Sequence, residues 1–287
     1  MAAALRELVE TELGLSVDPR VTAMAEAIAR RHGQASRAVL FYGSCLREKQ
    51  LDGLMLDFYL IVSDYRAAYD KRWLARANAL IPPNVFPVEH GGLAAKYAVL
   101  SETDFHRLNG PETRNVSVWA RFAQPARLVW AKDETARAKA IEAVARAAPT
   151  LLGAAQPFPE GDELEPWRHA FSLTYSAELR AERKGRSGSI VDIDPDRYRR
   201  FLAPALSAID RSVPSGGWAR RRIEGKLLSV VRLIKASATY AGGAEYIAWK
   251  ISRHAGTKIE LTPWQKRHPL LAAVSLLPRL LRSGAIR

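Results

Sequence analysis

Apolar positions recur at helical spacing over residues 1–34, and the pattern then changes to an unbroken apolar run over 38–42 that stops at Gly43-Ser44, as a buried strand stops at a turn. A second apolar run, LMLDFYLIV over 54–62, and a third, KYAVL over 96–100, read as further strands, with a helical pattern over 64–80 between them. Residues 127–130 add a fourth strand ahead of a helical stretch over 134–148, after which strand signals fade. The proline- and glycine-containing segment 157–162 reads as a linker, and helical patterns follow over 167–183, 196–209 and 218–240. The expected fold is α+β: a mixed sheet with helices, then a mainly helical part. The change of pattern near 131 places expected domains at 1–130 and 131–262, followed by a tail at 263–287.

Composition narrows this picture. The chain of 287 residues is 48% hydrophobic and 25% charged, which suits packed domains and excludes a disordered, collagenous or long coiled-coil protein. Lys and Arg outnumber Asp and Glu by 43 to 30, for a formal charge of +13, so an anionic partner is expected: nucleic acid, acidic lipid or nucleotide. The single cysteine, Cys45, makes no internal disulfide, and a reducing compartment is expected. Glu7, Glu10 and Glu12 in the first helical pattern are unlike a secretory signal or an acid-poor transit peptide, so mature protein is expected from the start. The apolar run over 269–277 is interrupted by Pro278 and is far shorter than the roughly 20 residues of a membrane span.

The chemistry concentrates at 41–62, where Tyr42-Gly43-Ser44 is followed by Asp57 inside an apolar strand. This is a nucleotidyltransferase pattern. A Gly-Ser turn at a helix start offers backbone N–H groups and a hydroxyl to triphosphate oxygens, and the downstream strand presents a carboxylate to a divalent ion. The second carboxylate usual two residues later is absent, because position 59 is Tyr. Asp57 is either a metal ligand or a carboxylate capping a neighbouring turn. Among Met55, Leu56, Phe58 and Leu60, an ionised group needs a cation or hydrogen bonds to offset desolvation. Asp52, Asp64, Glu89 and Glu102 are candidates for a partner acid. Lys96, at a strand start, reads as a phosphate contact that stabilises a leaving group, or as a solvated strand-end lysine. Arg121, between Trp119 and Phe122, reads as a group that forks onto a phosphate or stacks on a base, or as a snorkelling surface side chain.

These residues resemble the mitochondrial-type phosphatidate cytidylyltransferases, the CDP-diacylglycerol synthases of the translocator assembly and maintenance family, which also has bacterial members. The family's Tyr-Gly-Ser turn and Met-Ile-Asp-Phe strand are similar to Tyr42-Gly43-Ser44 and Met55-Leu56-Asp57-Phe58, and the family likewise has no acid at the second position. Its Lys-Tyr-Gly strand is similar to Lys96-Tyr97-Ala98, and its Gly-Arg-x-x-Lys-Pro segment to Ala120-Arg121-Phe122-Ala123-Gln124-Pro125, with departures at Ala98 and Gln124. A glycine turn followed by Tyr and Lys on a helix is similar to Gly242, Gly243, Tyr246 and Lys250. The resemblance implies a nucleotidyltransferase domain, a winged-helix-like domain and a membrane-touching C-terminal segment. It also implies magnesium-dependent transfer of cytidylyl from CTP to phosphatidic acid, with pyrophosphate released and no nucleic acid engaged. Asp57, Lys96 and Arg121 are then the expected catalytic residues, with Asp57 on the metal. Tyr42, Gly43, Ser44, Tyr97 and Lys250 are the expected nucleotide-binding residues.

Other features read as structural. Cys45 lacks an identifiable base, Glu178 and Glu182 with Arg180 and Arg183 have helical ion-pair spacing, and His169, His254 and His268 are isolated. In the last long helical pattern, Ile223, Leu227, Val230 and Ile234 mark the expected apolar face, which leaves Lys226, Arg232 and Lys235 to solvent or an anionic ligand. The tail places Leu270, Leu271, Val274, Leu277 and Leu281 at helical spacing beside Lys266, Arg267, Arg279, Arg282 and Arg287. It reads as an interfacial helix on an anionic membrane, or as a core-packed terminal helix. The expected location is peripheral, on the cytoplasmic side of the inner membrane. The rival readings are a nucleotidyltransferase acting on RNA or a small molecule, and a non-catalytic nucleotide-binding or membrane-adaptor module.

Overall fold

The computed structural model describes residues 2–48, 51–178, 186–210, 212 and 215–239. The first expected helix is two: α1 (Ala2–Leu13) and α2 (Pro19–Arg31). The break at 14–18 has a local cause, because Asp18 accepts from Arg20 N and Pro19 begins the new helix, a cap followed by proline at the first position. Strands β1 (Ser36–Tyr42) and β2 (Met55–Val62) follow, with the short helix α3 (Ser44–Glu48) between them. The expected helix over 64–80 is divided into α4 (Tyr65–Ala68), capped by Asp64, and α5 (Arg72–Leu80). Next come β3 (Asn84–His90) and β4 (Leu93–Ser101), joined through Gly91 and Gly92, both at positive φ. Pro87 masks β3 in the sequence, and the position of β3 at the sheet edge makes that proline tolerable.

Helices α6 (Glu102–Asn109) and α7 (Trp119–Phe122) lead to β5 (Ala126–Ala131). The rest of the described chain is helical: α8 (Glu134–Ala145), α9 (Ala147–Ala155), α10 (Glu165–Ala177), α11 (Arg186–Ile193), α12 (Pro195–Ser207) and α13 (Trp218–Thr239). The fold is therefore α+β, around a five-stranded mixed sheet of order β3-β4-β2-β1-β5 in which only β2 and β4 run parallel.

The sheet divides two buried clusters. On one face Phe41, Leu56, Phe58, Leu60, Tyr97 and Val99 pack with Val21, Met24, Ala25 and Ile28 of α2. On the other, Leu40, Tyr59, Ile61, Ala98 and Leu100 pack with Leu5 and Val9 of α1 and with side chains of α6 to α12, including Phe105, Trp119, Ile141, Leu151, Trp167, Phe171 and Tyr198. This second cluster holds residues from both sides of position 131. Among the described residues no helix is long and apolar enough to cross a membrane.

One helix departs in part from its sequence pattern: Val230 is half-buried and Lys226 exposed as the spacing predicts, but two apolar positions turn outward. On α13, Ile223 is 71% and Leu227 is 63% exposed, whereas Arg221 is buried and Arg232 and Lys235 are half-buried. Arg221, Gly225, Arg232 and Lys235 recur at intervals of four, seven and three residues, so one stripe of the helix carries them inward. At Gly225 the fit is tight: a Cβ there would overlap the carbonyl oxygen of Ala177 at the end of α10.

Candidate active site

Asp57 lies in β2 opposite Tyr42 of β1 and Lys96 of β4. Alternation along a strand sends residues 57 and 59 to one face, and Lys96 shares that face because it is in register with Asp57. Lys96 Nζ stands 2.9 Å from Asp57 Oδ1, with the two side chains 28% and 21% exposed. The other oxygen turns to the bend at the end of β1. There Gly43 has φ +98°, and a Cβ would come to 3.1 Å from Asp57 Oδ2. Both the backbone conformation and the close approach require glycine at 43. Ser44 begins α3 from this bend. The Asp57 carboxylate is therefore partly open to solvent, faces the small-residue bend and holds a cation, where a turn cap would be bonded to backbone N–H groups.

Beyond Asp57 on the same face, Tyr59 is buried between Tyr42 and Phe122, with ring centroids 5.3 and 5.2 Å away. Position 59 thus supplies an aromatic floor in place of a second acid. Arg121 lies over this floor. Its Nη1 donates to the Ser117 carbonyl and stands 3.8 Å from Glu178 Oε1. Burial works against the Arg121 charge, but Tyr59, Glu178, Tyr42 and Asp57 around it outweigh burial and keep the guanidinium protonated. Burial, and then the Asp57 charge, push the Tyr42 phenol well above its ordinary range, so Tyr42 is a neutral hydroxyl here.

Asp57, Lys96, Arg121, Tyr42, Gly43 and Ser44 thus come together. Tyr97 does not join them: it is buried on the opposite face of the sheet, where its hydroxyl lies 3.1 Å from His32 Nε2 within a ring of Tyr69 and Phe86. Cys45 also belongs to that face, buried, with Sγ 3.6 Å from the Met55 carbonyl. Lys250, Gly242, Gly243, Tyr246 and the tail at 263–287 lie outside the described residues. The four candidate partner acids are engaged or placed elsewhere. Asp52 pairs with Arg20, Asp64 caps α4, Glu102 pairs with Lys139, and Glu89 is exposed near the end of edge strand β3. Glu178, read from spacing as a helical ion-pair residue, meets Arg121, while Arg180, Glu182 and Arg183 of that spacing lie outside the described residues.

Sequence reasoning missed Ser117 and left Arg232 to solvent or an anionic ligand, where the structure half-buries it against backbone and hydroxyl oxygens. Arg232 Nη1 donates to Ser117 Oγ at 2.8 Å and its Nε to the Pro82 carbonyl at 2.9 Å. These pairings span 115 and 150 residues, and no local spacing signals them.

The donor set bears on magnesium. Among the described residues no three His, Cys, Asp or Glu side chains converge, so an all-protein cation cage is not built here. Magnesium commonly binds through one or two carboxylates together with substrate phosphates and water. One carboxylate oxygen turned to a Gly-Ser bend fits an ion that arrives with a triphosphate. Compared with known proteins, the chain matches no family model and no curated sequence.

Proposed function

We propose that the protein transfers the cytidylyl group of CTP to phosphatidic acid, giving CDP-diacylglycerol and pyrophosphate, through a nucleotidyltransferase-like sheet completed by a winged-helix-like helical part. The observation that carries this reading is the Asp57 carboxylate at the Gly43 bend, tied to Lys96 on one oxygen, with Tyr59 filling the second acid position. A Gly-Ser turn followed by a lone acid, with none at the second position, is what the family resemblance implies.

The chain's own residues have definite work in such a reaction. Gly43 allows backbone and triphosphate to approach closely, and Ser44 offers a hydroxyl to a phosphate oxygen. Asp57 would hold magnesium, which when bound offsets negative charge on phosphate oxygens. Lys96, anchored by Asp57, supplies a point charge for the departing pyrophosphate, and Arg121, kept charged by its surroundings, supplies a second cation. An oxygen of the phosphatidate attacks the α-phosphorus as the bond to the bridging oxygen of pyrophosphate breaks. That oxyanion is already nucleophilic, so positioning and cations carry the rate and no strong base is needed. A lipid acceptor places the protein at a membrane surface, on the cytoplasmic side of the inner membrane, with the basic tail at 263–287 as the anchor.

The test is pyrophosphate release with CTP, magnesium and vesicles containing phosphatidic acid. Turnover is expected with CTP above the other three nucleotides, and Asp57→Asn should lower it by about 10²–10³ while leaving the thermal unfolding transition in place. Absence of turnover with any nucleotide, or full activity in Asp57→Asn, overturns the reading.

A further inference from the structure

On the α1 side of the sheet the helices leave a cavity of about 410 Å³ between them. Its walls come from α1, from α8 and α9, from the chain just past α12 and from the first turn of α13. Asp57, Lys96, Arg121 and the Gly43-Ser44 bend take no part in it. Sites for small organic ligands are commonly of this size, with apolar walls and a few fixed polar groups. Here the apolar wall is aliphatic: Leu5, Pro111, Ala145, Pro149, Ala208 and Ile209 contribute to it, and none of the lining side chains is aromatic.

Most polar groups in the wall are committed. Thr150 Oγ1 donates to the Asn109 and Arg146 carbonyls at 3.0 and 2.8 Å, and Arg146 holds the His106 carbonyl and the Glu112 carboxylate. Asp210 Oδ1 accepts from Ser212 N and Oγ, and Glu142 lies 3.7 Å from His106. Arg6 is exposed. Arg221, only 8% exposed, differs from all of these. Its Nε donates to the Gly216 carbonyl at 3.2 Å, and its Nη1 to the Thr113 and Arg114 carbonyls at 3.3 and 3.0 Å. These bonds fix the guanidinium plane beside the Trp218 ring and leave Nη2 without an acceptor among the described residues. Nor is Nη2 one of the side-chain atoms sealed from solvent, so a small molecule can reach it. A guanidinium held by neutral carbonyls alone keeps its full charge uncompensated, and burial makes that costly.

We propose that this cavity binds an organic monocarboxylate with an aliphatic body, its carboxylate on Arg221 Nη2 and its chain along the apolar wall. Three features set that class. One free nitrogen on a fixed guanidinium gives a charge-assisted hydrogen bond to a single anionic group. Glu142 and Asp210, both exposed at the cavity, repel ligands of higher negative charge such as phosphate esters and nucleotides. A wall without aromatic rings offers no surface on which a base could stack, whereas Leu, Ile, Ala and Pro side chains suit methylene groups. The inference stands apart from cytidylyl transfer and shares no residue with its site.

The experiment is a calorimetric titration of the full chain with decanoate below its micelle concentration, beside decanol, without nucleotide or magnesium. Saturable binding of one decanoate per chain is expected, with decanol at least tenfold weaker. Arg221→Gln should weaken decanoate binding about tenfold, and the exposed Arg222→Gln on the same helix should leave it unchanged. Ala145→Phe, at a half-buried wall position, fills the cavity without touching the Arg221 contacts and should lower binding at least as much. Thermal melts identify any variant that fails to fold. If Arg221→Gln is lost in that way, because it gives up three backbone carbonyls, Ala145→Phe carries the comparison. Wild-type protein that does not bind decanoate, decanol bound as tightly as decanoate, or folded Ala145→Phe that binds it unchanged overturns the inference. The last result would place the ligand on the outer surface. None of these measurements reads nucleotide turnover, so failure of cytidylyl transfer is scored separately.

Discussion

Lys235 shows, at the scale of one residue, what burial on α13 costs a cation. Its amine is lowered from the ordinary 10.5 to about 7, first by burial and then by Arg232 beside it. A base that is harder to protonate in the folded state binds fewer protons there than in the unfolded chain, so between about 7 and 10.5 stability rises with pH. Below about 7 the cost is constant, and above 10.5 it vanishes. Lys235→Met is therefore expected to raise stability at pH 7 and to flatten the profile between pH 7 and 10, measured by urea unfolding. Equal slopes in the two proteins would show that the amine is not held in its buried position. Tyr59 illustrates the opposite use of a site residue. A carboxylate at that position would stand between the Tyr42 and Phe122 rings, in a buried aromatic layer that would desolvate its charge.

At the scale of elements, the rotation of α13 decides which of its side chains are carried inward. Its azimuth is set where Gly225 meets the Ala177 carbonyl, a contact that leaves no space for a methyl group. Gly225→Ala gains helix propensity but overpacks this crossing, so a net loss of about 1–3 kcal/mol is expected in urea unfolding. A stabilised variant would place α13 away from α10. The strands were legible because β1, β2, β4 and β5 carry runs of bulky residues bounded by turn residues. β3 was not, because Pro87 and polar positions dilute its pattern and only its place beside β4 makes it a strand. Helix α6 escaped notice for a similar reason: its eight residues bury Phe105 and Leu108 but are otherwise polar or charged, too short a pattern to stand out from the loop that follows.

At the scale of the whole molecule, elements 185 residues apart in the chain are tied together. Arg197 of α12, almost fully buried, places Nε 2.5 Å and Nη2 2.9 Å from the Glu12 carboxylate of α1, and Nη1 3.0 Å from the Ala123 carbonyl beside α7. Its guanidinium also lies over the Tyr198 and Phe201 rings. Arg197→Met leaves the Glu12 charge without its partner and is expected to cost about 3–5 kcal/mol in chemical denaturation. Adding Glu12→Gln should recover part of that loss. A single variant as stable as the wild type would mean that the pair does not hold α1 and α12 together. By itself the sequence determined four of the five strands, the Gly43-Ser44 bend and the placement of residues 57 and 59 on one face, because those follow from short-range periodicity and from the backbone freedom of glycine. Tertiary structure alone decided that Lys96 and not Tyr97 joins Asp57, that Glu178 turns to Arg121, and that α13 buries Arg232. Strand register and close helix contact set those outcomes, and both act between residues too far apart in the chain for any local pattern to record.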